Sequence, residues 1–113
     1  MTRIFRIITS SIAITMLAAC ASTNSGIVPL TSTTYPRTRA AEVAIITPGD
    51  QPARPYVEIA RLTEYQADWM ARERSDESIF RSLKAKAASI GGHALMNVTD
   101  NWGTMTAIVI RYR

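Results

Sequence analysis

The sequence predicts a small α+β domain, a sheet in β-β-α-β-β order with one helix packed on one face. Three observations predict it. Ile79, Leu83, Ala87 and Ile90 recur at helical spacing directly after the acidic opening Ser75-Asp76-Glu77. Thr104 to Tyr112 alternates, with Ile108, Ile110 and Tyr112 on one face and Ala107 and Val109 on the other. Two β-prone runs precede the helix, each bounded by proline or glycine. A chain of 113 residues suffices for one such core and not for two.

The elements follow in order. Met1 to Arg6 carries two positive charges and no acid, and Ile7 to Ala19 is a mostly apolar run that ends in small residues. That is the layout of an export signal. A membrane span needs about 20 apolar residues, and this run, interrupted by Thr9, Ser10, Ser11 and Thr15, falls short. Residues 1–19 are therefore expected to be removed. Residues 20–41, CASTNSGIVPLTSTTYPRTRAA, are rich in Ser, Thr and Pro and lack a sustained period. They are expected to form a flexible tether reaching on the order of 25 Å root-mean-square. A second reading docks Ile27 to Leu30 as an edge strand, with Pro29 counting against it.

Residues 42–113 form the expected domain. Glu42 to Thr47 reads as a strand closed by the turn residues Pro48-Gly49-Asp50, and Pro55 to Thr63 as a second strand with Val57 and Ile59 on one face. Ser75 can cap the helix, and the two acids suit the positive end of its dipole. Phe80 and Ala88 widen the apolar stripe, while Arg81, Lys84 and Lys86 are expected to face water. Gly91-Gly92 ends the helix. Ala94 to Thr99 and Thr104 to Tyr112 then pair through a turn at Asp100 to Gly103. A right-handed crossover joins the second and third strands if they run parallel. One helix covers one sheet face, so either a loop or a partner must cover the other.

The formal charge of +4 falls to +2 once Arg3 and Arg6 leave with the signal. No dense basic run with interleaved aromatics remains, so no nucleic-acid site is expected. His93 is the single histidine, and a lone ring just past a helix is expected to be a hydrogen-bonder and not a ligand or base. A nucleophilic triad lacks its parts, metal-ligand spacing is absent, and Met96 and Met105 suit the core. Gly91-Gly92 follows a helix where a phosphate loop would precede one. The expectation is a protein without catalytic residues, metal or cofactor.

Cys20 is the only cysteine, so it has no disulfide partner within the chain. Leu17-Ala18-Ala19-Cys20 resembles the lipobox of bacterial lipoproteins. The resemblance implies recognition of Leu17, Ala18 and Ala19 by the lipoprotein signal peptidase, cleavage before Cys20, and lipid on the Cys20 sulfur and the new amino terminus. More than one acyl chain gives stable anchoring, at about 0.8 kcal/mol per buried CH₂. Ala21 stands where many enteric lipoproteins carry the aspartate of inner-membrane retention. The implied location is the outer membrane, lipid-anchored and facing the periplasm.

Further motifs carry a second resemblance: YVEIARL at 56–62, LKAKAASIGGHALMNV at 83–98 and TAIVIR at 106–111. They resemble the pattern of small envelope lipoproteins, shared with the Rcs-system stress sensors and with ring-forming domains described as heavy-metal-binding. It spans about Tyr56 to Tyr112 and implies the same α+β fold and a role in envelope stress sensing or homeostasis. The sequence departs from the pattern at Ala60, Gly92 and His93, and it lacks the stress sensor's disulfide cysteines.

Glu64 to Arg74 is a long connection holding Tyr65, Trp69, Met70, Arg72 and Arg74. Aromatic residues, methionine and arginine are enriched at interface centres, so these five are the candidate partner-binding residues. The other reading folds Tyr65, Trp69 and Met70 onto the domain's own core. The functional expectation is a lipid-anchored interaction or assembly module. Its contacts are the membrane, through Cys20, and an envelope protein or a second copy. The alternative is a metal- or small-ligand-binding sensor.

Overall fold

The computed structural model describes residues 26–68, 70 and 72–113. Along them run β1 (Ile27–Pro29), a 3₁₀ turn (Ala40–Glu42), β2 (Ala44–Ile45), β3 (Tyr56–Tyr65), α1 (Asp76–Ser89), β4 (Ala94–Asn101) and β5 (Thr104–Tyr112). The five strands make one sheet in the order β1-β3-β5-β4-β2. Neighbours are antiparallel except β2 and β4, which are parallel. β3 and β4 flank β5 and both oppose it, so they run parallel to each other, joined through α1 as a split β-α-β unit. The α+β class is as expected, with β1 added in front of the β-β-α-β-β core.

Helix α1 forms where its signals lie. The Ser75 side chain accepts the Ser78 N–H at 3.1 Å, with Asp76 and Glu77 in the first turn. Ile79, Leu83, Ala87 and Ala88 are buried against the sheet. Full burial of a leucine-sized side chain contributes about 1.5–3 kcal/mol. The helix closes at Gly91, whose φ of +89° suits only glycine without strain, and the Gly92 N–H returns to the Ala87 carbonyl at 2.8 Å. Gly92 itself is a packing requirement, since a Cβ there would sit 2.3 Å from Val109 Cγ1. Lys86 does not face water as expected: its ammonium reaches Glu64 at 2.6 Å.

Two bulges explain where simple alternation fails. Glu58 pairs with Ile110 and Ala60 with Val109, so Ile59 is an extra residue in β3. Val57 and Ile59 lie on the helix side before the bulge, and Ala60, Leu62 and Glu64 after it. In β4 the register slips between Met96 and Thr99, where Asn97 takes a φ of +55°. Strand β5 has no bulge, and Met105, Ala107 and Val109 stay buried towards α1.

The segment expected to be a tether through Ala41 is folded from Gly26 onward. Ile27, Val28 and Pro29 pair with Leu62, Arg61 and Ala60. The flanking bonds Thr63 N–H to Gly26 carbonyl (2.8 Å) and Leu30 N–H to Ile59 carbonyl (3.0 Å) show how Pro29 is accommodated. It occupies a non-bonded pair, so its missing N–H leaves no ladder bond unmade. The strand expected at Glu42–Thr47 is shorter, because Glu42 belongs to the 3₁₀ turn and only Ala44 and Ile45 pair with β4. The turn at Pro48-Gly49 is present, with Gly49 at φ +94°.

On the face away from α1, Ala94 and Ile110 are fully buried. The connection from β2 to β3 must pass β4 and β5, which fits the reading in which a loop covers this face. No described helix is long and apolar enough to cross a membrane.

Candidate functional site

The two ends of the sheet differ in chemistry. At one end lie the end of β3, the β4–β5 turn and the start of β1. Asn101 pairs with Thr104, leaving Trp102 and Gly103 as a two-residue turn with φ values of +38° and +90°. Positive φ at both positions is the geometry that favours Asn-Gly. A bulky residue in the left-handed region costs roughly 1–2 kcal/mol, and Trp102 recovers nothing through packing, being 101% exposed.

The 66–74 segment is bound to this turn. The Gln66 N–H donates to the Gly103 carbonyl at 2.9 Å, and the Gly103 N–H to Gln66 Oε1 at 3.0 Å. Asp68 shapes the segment, accepting the N–H groups of Met70 and Arg72 and pairing with the Arg72 guanidinium at 3.3 Å. Tyr65 is 69% and Met70 53% exposed, so neither enters the core. Trp69 lies outside the described residues.

Beneath these exposed groups sits a buried ionic cluster. Glu64, on the helix side of β3, receives Arg74 at 2.7 Å, Lys86 at 2.6 Å and the Ser82 hydroxyl at 2.7 Å. Burial pushes its carboxyl upward, and the hydrogen bonds from Lys86, Arg74 and Ser82 outweigh that, leaving its pKa lowered. Arg74 also holds the Tyr65 carbonyl and the Ser78 carbonyl and hydroxyl. Arg74, expected among the partner-binding residues, is thus spent within the domain. Its role is to hold the 66–74 segment against α1.

The opposite end is basic. A cleft of about 550 Å³ is lined by Arg37, Arg39, Arg54, Glu42, His93 and Tyr112, among others. Three arginines face one acid, with Arg39 and Glu42 only loosely paired at 4.0 Å. The His93 ring stacks on Tyr112, and its Nδ1 accepts the Tyr112 N–H at 2.9 Å. An accepting Nδ1 places the proton on Nε2. Burial, then the charges of Arg111 and Arg54, lowers the His93 pKa, so the ring is neutral at pH 7. Arg54 lies over the Tyr112 ring at 4.8 Å. His93 thus accepts a backbone hydrogen bond through Nδ1. Among the described residues no three His, Cys, Asp or Glu side chains gather to hold a metal.

Of the expected partner-binding residues, the structure brings Tyr65, Met70 and Arg72 to one end and turns Arg74 inward. It adds Trp102, whose signal in the sequence was a tryptophan before glycine in a two-residue turn. Leu17, Ala18 and Ala19, expected to be recognised by a signal peptidase, and Cys20, expected to carry lipid, lie outside the described residues. A comparison with protein-family models, curated proteins and solved structures finds no match to this chain.

Proposed function

We propose that this chain is a lipid-anchored protein of the bacterial envelope. In this reading its domain is an interaction module, held close to the outer membrane and displaying its basic end to an acidic partner protein in the periplasm. The observation that carries the reading is where the chain joins the fold. Gly26 bonds Thr63, two residues from the exposed Tyr65, so an anchor at Cys20 attaches at the aromatic end and the basic cleft points away from it. Only five residues separate Cys20 from Gly26. A stretch of that length spans at most about 20 Å fully extended.

At the far end, Arg37, Arg39 and Arg54 form a fork-donor surface suited to carboxylates. Complementary charge there would steer the partner and set its orientation. A photo-crosslinking residue at position 39 of the lipidated protein is expected to capture a protein in living cells. Arg37→Glu with Arg54→Glu should abolish the adduct without altering membrane association. An adduct that survives the double charge reversal, or none at all from correctly lipidated protein, contradicts the assignment.

A further inference from the structure

The exposed aromatic end needs an occupant, and the anchor's attachment point selects one. We infer that Trp102, Tyr65 and Met70 rest in the headgroup region of the same membrane that holds the lipidated Cys20. This inference depends on the lipid-anchor reading above and adds an orientation to it.

Large apolar side chains that stay in water mark contact sites when they gather. Here Trp102, Tyr65 and Met70 gather at the one end from which the chain runs towards Cys20. Tryptophan and tyrosine pair an apolar ring with a polar N–H or O–H, the combination that settles at membrane–water interfaces. The short stretch between Cys20 and Gly26 makes weak contact sufficient. A tether of that length gives an effective concentration in the millimolar range, so an affinity of about 1 mM half-populates the docked state.

The surrounding charges set the depth. Asp68 is paired with Arg72, while Glu73 and Asp100 are exposed. With more acid than base at this end, anionic lipid would not drive binding, and the acids keep the contact at headgroup level. The turn at Trp102 accepts a left-handed tryptophan where asparagine would sit without strain, which is intelligible if the ring is used outside the fold.

The test uses the lipidated full-length protein in phosphatidylethanolamine/phosphatidylglycerol vesicles that carry a shallow nitroxide lipid. A fluorescent label is placed on Trp102→Cys and, as control, on Arg54→Cys; the native Cys20 sulfur is alkylated and takes no label. The label at 102 is expected to be quenched and the label at 54 not. Adding Tyr65→Glu and Met70→Glu should remove the quenching at 102 while the melting temperature holds, since both side chains are exposed. Protein that co-floats with vesicles and shows no quenching at 102 overturns the docking and leaves the anchor intact. Protein that fails to co-float overturns both. A protein adduct captured from position 102 in cells, with quenching absent, puts a protein in the bilayer's place and overturns the inference.

Discussion

Glu64→Ala is expected to destabilise the domain by about 3 kcal/mol or more, because it strands two cations that fold around one buried carboxylate. Glu64 is 8% exposed, with Arg74 at 2.7 Å from its Oε1 and Lys86 and the Ser82 hydroxyl at 2.6 and 2.7 Å from its Oε2. At roughly 4–8 °C per kcal/mol for a domain of this size, the melting temperature should fall by well over 10 °C. A fall below about 4 °C would mean the cluster contributes no more than a surface ion pair.

The same residue sets the acid limb of stability. Its folded-state pKa is lowered, so the unfolded chain binds the proton first, and stability is lost as pH falls through the folded-state value. His93, also lowered, acts in the same direction nearer the ordinary imidazole range. Urea titrations across pH should show stability declining on acidification in both windows. The lower window should disappear in Glu64→Ala.

Cys20→Ser is expected to release the protein from the membrane fraction or leave the precursor uncleaved. The inferred docking through three exposed side chains would suffice only at the local concentration an anchor at Cys20 provides. Without covalent lipid, a contact that weak would not hold the protein in a membrane fraction, whereas two or more acyl chains give stable anchoring. Fractionation of cells expressing the variant should place it in the soluble periplasm, or leave an uncleaved precursor. A mature Cys20→Ser protein that stays in the membrane fraction would contradict lipid anchoring.

Local signals made part of this fold legible. Ser75, the Ile79–Leu83–Ala87 stripe and the left-handed Gly91 are all short-range, and α1 formed where they lie. Strand β5 was equally readable because no bulge breaks its alternation. In β3 the phase reverses at Ile59, so the burial of Leu62 and Glu64 was hidden. A bulge depends on the partner strand and leaves little trace in its own sequence. Pro29 counts against strand β1 in the sequence, yet an edge strand tolerates proline at a non-bonded position.

The candidate surfaces were legible to a smaller degree. The unusual length of the 64–74 connection and its aromatic content single it out in the sequence, and Tyr65 and Met70 of it are exposed in the structure. Glu64, Arg74 and Lys86, however, are separated by 10 and 22 residues in the chain, and nothing local announces that they meet. The basic cleft likewise joins residues from the 3₁₀ turn, the β2–β3 connection, the start of β4 and the end of β5.

The measurement that bears most directly on the whole account is the intact mass of the protein extracted from membranes of a lipoprotein-processing bacterium. The expected species begins at Cys20 and carries a diacylglyceryl group on sulfur and an acyl chain on the amino terminus. A mass corresponding to the unmodified chain, or to cleavage at any other residue, would contradict the anchor and the membrane-held orientation built on it.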